Sequence, residues 1–138
     1  MKFSLEYGTG NSIYSYATGQ IQLIPGSLDP EAGKKPQLRV ITRSVIVTPI
    51  ALLEDWQPQS VADLTAAHFE PVLEMQPELI VLGTGARIQF PAGAILAPCY
   101  QAGIGVEVMD TGAACRTYNI LAAEGRRVAA ALLMIEAG

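Results

Sequence analysis

GVEVMDTGAACRTYNILAAEGRRVAAALLMI, residues 105–135, decides how this 138-residue chain folds. GVEVM (105–109) is a short apolar run opened by glycine and reads as a strand. TGAACRTYNILAAEG (111–125) changes to helical spacing, with Asp110 or Thr111 as its N-cap and Gly125 as its C-terminal stop. RRVAAALLMI then returns to a continuous apolar run, the form of a strand covered on both faces. Upstream, ELIVLG (78–83) is another such run, and PAGAILAPCYQAG (91–103) reads as a helix closed by glycine. Strand, helix, strand, helix, strand predicts right-handed crossovers, with the first two strands as parallel neighbours.

Further out, the first half reads as β structure. SIYSYAT (12–18) and QIQLI (20–24) flank Gly19 as a hairpin, and 38–42 and 44–48 are strand-like up to Pro49. Between them, 25–37 carries three prolines, two glycines and most of the local charge, which predicts a polar surface loop. From Ser60 the spacing predicts a helix over 60–75, with Ser60 as N-cap, Asp63 three residues on, and Pro71 and Pro77 marking its end or a second short turn. The whole chain, 1–138, is expected to form one domain. The predicted fold is an α/β three-layer sandwich with a mixed, mainly parallel central sheet and an N-terminal β-hairpin extension.

Composition agrees with that architecture and excludes several functions. Half the residues are hydrophobic and 16% are charged, which demands a core covered on more than one side. A formal net charge of −4 opposes nucleic acid and anionic membranes, which need clustered Lys and Arg. The longest apolar run, VAAALLMI (128–135), falls far short of the about 18 residues that span a bilayer. The first residues, MKFSLEYGTGNSIY, have neither a signal-peptide core nor the Arg-rich pattern of a mitochondrial presequence, so a cytoplasmic location is expected. Two cysteines, Cys99 and Cys115, rule out a disulfide framework.

No complete catalytic constellation is present. LGTGARIQFP has Ile88 where a dinucleotide fingerprint needs its third glycine, and no GK[ST] follows. His68 is the sole histidine, and metal-binding spacings are absent, so neither metal nor cofactor is expected. Cys115 stands in the first turns of a helix, where unpaired N–H groups could favour a thiolate. Position 121 is Leu where a cysteine phosphatase loop needs Arg, and the reading of Cys115 as a small packing residue outweighs that of a nucleophile. What remains is a position. The strands ending at Gly83 and Asp110 bring their following loops side by side at the carboxyl edge of the sheet, gathering Thr84, Arg87, Asp110, Thr111, Arg116 and Asn119. Arg116 and Asn119, three apart, share a helix face. This edge suits an anion or a partner's carboxylate; equally, Asp110 pairs with Arg87 or Arg116 and fixes the loops.

Those segments also carry a resemblance. SVIVTP, a following Trp, PELIVLGTG, FP and GIGVEVMDTGAACRTYNILAAEGRRVAAALL are similar to the family that includes the mitochondrial complex I assembly factor three and the adipogenesis-associated Mth-domain-containing protein. The likeness covers about 19–133, and VMDT, ACRTYN and EGRRVAAALL are its most specific parts. It implies a three-layer α/β fold, no established catalysis, and a role in binding other proteins, with respiratory-complex subunits as the expected partners. The chain is expected to differ from the mitochondrial members in having no presequence and in carrying the polar 25–37 loop. The expectation is a non-enzymatic protein-interaction module, an assembly factor for a respiratory NADH dehydrogenase. The alternative is a small-molecule (anion) binding protein or enzyme using the sheet edge. Oligomeric state is not legible.

Overall fold

The computed structural model describes residues 10–26 and 37–137; the polar loop expected over 25–37 lies, for residues 27–36, outside the described residues. Strands β1 (Ser12–Ala17), β2 (Gln20–Ile24) and β3 (Arg39–Ile41) form an antiparallel sheet in that order, β1 and β2 turning through Gly19 at φ +73°. A second, five-stranded sheet holds β4 (Val45–Val47), β5 (Leu52–Leu53), β6 (Leu79–Gly83), β7 (Gly105–Met109) and β8 (Val128–Leu132), in the order β5-β4-β8-β6-β7. The helices are α1 (Glu70–Glu74), α2 (Gly93–Gln101) and α3 (Thr111–Ala123).

The expected parallel neighbours are β6 and β7, in register from Leu79 opposite Gly105 to Gly83 opposite Met109. The chain then passes back over β6, and β8 pairs parallel to its other side and antiparallel to β4. The reason for this central place is compositional. Val128, Ala130 and Leu132 enter one core, Ala129, Ala131 and Leu133 the other, and all are buried. A strand apolar on both faces is stable only where layers cover both.

Three layers result. On one face of the central sheet, α3 and the β1–β3 sheet supply Ala114, Cys115, Tyr118, Ile13, Ile21 and Leu23. On the other, Trp56, Phe69, Val72, Leu96 and Cys99 close the second core. Trp56 is fully buried edge-on to Phe69, ring centroids 5.8 Å apart, and its indole N–H donates to the His68 carbonyl at 2.8 Å. A buried indole N–H usually has such an acceptor, because an unpaired one costs free energy.

The continuous helix expected over 60–75 is corrected by the structure. Two 3₁₀ turns, Val61–Asp63 and Ala66–Phe69, lead into the short α1. Leu64 and Thr65 between them are extended, at ψ 136° and 163°. Ser60 makes no side-chain cap, and the Asp63 carboxylate accepts from the Gln59 N–H at 3.2 Å. Thr65 opens the next turn instead, its N–H donating to His68 Nδ1 at 3.0 Å. Pro71 lies in the first turn of α1, where its missing N–H has no partner to lose, so it begins a helix and does not end one.

Candidate functional site

At the carboxyl edge of the sheet, β6 leads to α2 on one face and β7 leads to α3 on the other, the kind of switch point that opens a crevice in α/β sheets. In this chain the crevice is laced by the protein's own hydrogen bonds. The Thr84 N–H donates to the Met109 carbonyl at 2.9 Å, and the Thr111 N–H donates to the Gly85 carbonyl at 2.9 Å. The Thr111 hydroxyl accepts from the Gly85 N–H at 2.8 Å and donates to the Leu133 carbonyl at 2.6 Å. The Leu133 N–H closes the ring on the Gly83 carbonyl at 3.0 Å. The ends of β6, β7 and β8 are thus tied through one buried threonine.

Glycine permits that closeness. A Cβ on Gly83 would stand 2.9 Å from the Thr111 Cα, and Gly85 adopts φ +101°, a region closed to ordinary side chains. Thr84 is buried as well. Its hydroxyl donates to the Arg87 carbonyl at 2.6 Å and accepts from the Gln89 N–H at 3.0 Å, so one side chain shapes the whole turn after β6.

The remaining sequence candidates divide between scaffold and surface. Asp110 is the N-cap of α3, its Oδ1 accepting from the Ala113 N–H at 2.8 Å. Asn119 clasps β1: Oδ1 accepts from the Ile13 N–H at 2.9 Å and Nδ2 donates to the Ile13 carbonyl at 2.7 Å. Arg116 is exposed, donates to the Tyr16 hydroxyl and lies 5.8 Å from the centre of the Tyr16 ring. Arg116 and Asn119 therefore do share a face, the one turned toward β1. Arg87 is exposed on the turn after β6. The expected pairing of Asp110 with either arginine is not formed: the ion pairs among the described residues are Arg39–Glu54, Arg43–Asp55 and Arg126–Glu78.

Cys115 is buried in the core between α3 and the central sheet. Burial pushes its thiol up to about 12; the Arg116 charge pulls the other way and Asp110 reinforces the rise. At neutral pH it is a protonated thiol. Cys99 is buried in the opposite core, with its thiol also raised by burial. Among the described residues no three His, Cys, Asp or Glu side chains are grouped to hold a metal ion. No described helix is long and apolar enough to cross a membrane.

Sequence reasoning missed the partners of α3. Tyr16 and Ile13 lie about a hundred positions upstream of Arg116 and Asn119, with nothing local to announce the contact. It missed Asn11, whose side chain donates to the Thr48 and Ala51 carbonyls at 3.0 and 3.2 Å and accepts from the Gly26 N–H at 2.9 Å. It also missed the exposed apolar residues beside Arg87, Ile88 and Phe90.

The family model described as "Protein of unknown function (DUF498/DUF598)" matches residues 13–133. A Danio rerio protein named NADH dehydrogenase (ubiquinone) 1 alpha subcomplex assembly factor 3 is 42% identical over 94 residues, which cover 67% of this chain and 53% of that protein. The chain thus spans about half the length of that curated relative. Among solved structures, a Bordetella parapertussis protein superposes with a TM-score of 0.77 at 32% identity, covering 93% of this chain and 98% of its own. A Bordetella pertussis protein described as a Mth938-like domain superposes with a TM-score of 0.72 at 28% identity, covering 91% and 87%.

Proposed function

Because the chain belongs to the DUF498/DUF598 family, we propose that it is a non-enzymatic protein-interaction module that assists assembly of a respiratory NADH dehydrogenase. The observation that carries this reading is the 42% identity with a protein named as an assembly factor for that enzyme. The chain acts as a single domain in the cytoplasm, without a cofactor, and its partners are subunits of the respiratory complex.

The state of the sheet edge supports a binding role over catalysis. Thr84, Thr111 and Asn119 are committed to backbone groups of the chain itself, and Asp110 caps a helix. Cys115 is protonated and buried. Arg87 and Arg116 are the exposed charges among the six left to meet a partner's carboxylates, with Thr84, Asp110 and Thr111 holding the loops and Asn119 holding β1. An anion-binding or catalytic site here would need free donors, whereas the N–H groups of Gly85, Thr111 and Ala113 are already bonded.

The test is affinity purification of the tagged chain from detergent-solubilised cells that naturally make it. NADH dehydrogenase subunits or a subassembly should be enriched over an untagged control. Recovery of none would count against the assembly role. Arg116→Ala should stay folded and lose recovery; if it unfolds, the residue serves the scaffold.

A further inference from the structure

From Leu79 to Val106 the only charged residue is Arg87, and the segment includes the turn after β6 and the whole of α2. A surface helix ordinarily carries charge on its outer side. The outer side of α2 has instead the exposed Gly93, Ala94 and Gln101, and Tyr100 beside them is 54% exposed. The turn leading into α2 presents Ile88 at 50% and Phe90 at 73% exposure. That turn is held in shape: Thr84 bonds both the Arg87 carbonyl and the Gln89 N–H, and Pro91 just beyond it is buried.

We propose that the 86–90 turn and the outer side of α2 form a docking surface for a short amphipathic helix of another protein, with apolar side chains over Phe90 and Ile88 and a carboxylate against Arg87. This rests on the interaction role proposed above and gives it a surface. Two quantities select the occupant. With about 150–250 Å² per aromatic side chain, Phe90, Ile88 and Tyr100 together expose on the order of 350 Å². The largest apolar patch of a typical monomer measures about 300–600 Å² and is often functional, whereas a standard interface takes about 800 Å² of total surface from each partner. The three side chains supply less than half of what a second copy of this chain would have to cover, which suits a short partner segment. Charge selects the same way. One arginine in an uncharged face fixes the register of an acidic partner residue, but an anionic bilayer calls for a cluster of basic residues. Aromatic and Arg side chains on a preorganised turn are also the residue types that dominate interface energies.

The decisive experiment places a photo-crosslinking amino acid at position 90 of the full chain in cells that naturally make it, and maps the adduct by peptide sequencing. The proposal predicts an adduct on a helical segment of a different protein with an apolar stripe and at least one Asp or Glu. A synthetic peptide of that segment should bind the chain, about tenfold or more weakly to Phe90→Asp. Arg87→Glu should weaken it too, with binding regained when the peptide's acidic residue is changed to Lys. Phe90 and Arg87 are exposed, so thermal melts of both variants should match the unaltered chain. Adducts on a second copy of the chain, adducts on lipid with binding to phosphatidylglycerol vesicles, or no adduct at all would each overturn the proposal. If respiratory subunits co-purify equally with Phe90→Asp and Arg87→Glu, this surface is wrong and the assembly role stands. If no respiratory subunit is recovered but the adduct maps to an acidic amphipathic helix elsewhere, the surface stands and the assembly role fails.

Discussion

Thr111→Val is the most informative single change in this fold, because it keeps the side chain's shape and removes only its hydroxyl. Thr111 is fully buried, and the hydroxyl serves the Gly85 N–H at 2.8 Å and the Leu133 carbonyl at 2.6 Å. Valine leaves both groups without that partner. An unpaired buried polar group costs about 1–3 kcal/mol, so the pair should cost roughly 3 kcal/mol, a large part of the about 5–15 kcal/mol that holds a domain together. At this chain length that corresponds to a fall in Tm of about 10 °C. Thr111→Ser retains the hydroxyl and gives up one methyl, a loss of about 1 kcal/mol. Urea unfolding followed through Trp56, the single and buried tryptophan, measures both. Valine should shift the midpoint well beyond serine at unchanged slope. If valine falls within about 0.5 kcal/mol of the unaltered chain, or serine costs as much as valine, the hydroxyl is not what ties the three strand ends together.

Four further substitutions test neighbouring parts of the fold. Gly83→Ala sets a Cβ 2.9 Å from the Thr111 Cα, where backbone meets backbone, and should cost about 1–3 kcal/mol by urea unfolding; Gly112→Ala meets only the exposed Tyr16 ring and gains helix propensity, so it should be close to neutral. Asn119→Ala removes both bonds to Ile13 and should cost about 2 kcal/mol, with loss of hydrogen-exchange protection at the Ile13 amide as its local signature. For Cys115, the folded-state thiol is raised from 9.0 to about 12, so the unfolded chain loses its proton first; stability is intact below pH 9 and declines as pH rises toward 12. Chemical unfolding at stepped pH should show that decline reduced in Cys115→Ala, and alkylation of native Cys115 at pH 8 should proceed no faster than global unfolding.

The second half of the chain was legible because each local signal agrees with the tertiary outcome. VAAALLMI is apolar on both faces, the run at 78–83 is strand-like for the same reason, and Gly103 and Gly125, at φ +77° and +82°, end their helices where the sequence places them. Strand order was only half legible, since crossover rules make β6 and β7 neighbours but do not say that β8 returns to the far side of β6. The 60–75 segment misled because its apolar spacing fits a helix equally well as two 3₁₀ turns, and Thr65 with His68 builds a new start inside it. At the sheet edge, the sequence brings Thr84, Asp110 and Thr111 to the right place. Whether a hydroxyl faces a ligand or a neighbouring carbonyl depends on distances of a few tenths of an ångström between segments far apart in the chain, and no local pattern encodes them.

The proposed role of this chain is to help build a respiratory NADH dehydrogenase by binding its parts. Native gel electrophoresis of membranes from cells lacking the chain, stained for NADH dehydrogenase activity, tests it most directly. Less of the full complex is expected, with a subassembly accumulating in its place, restored by the unaltered chain and equally by Cys115→Ala. Full complex at the normal level in the absence of the chain would contradict it.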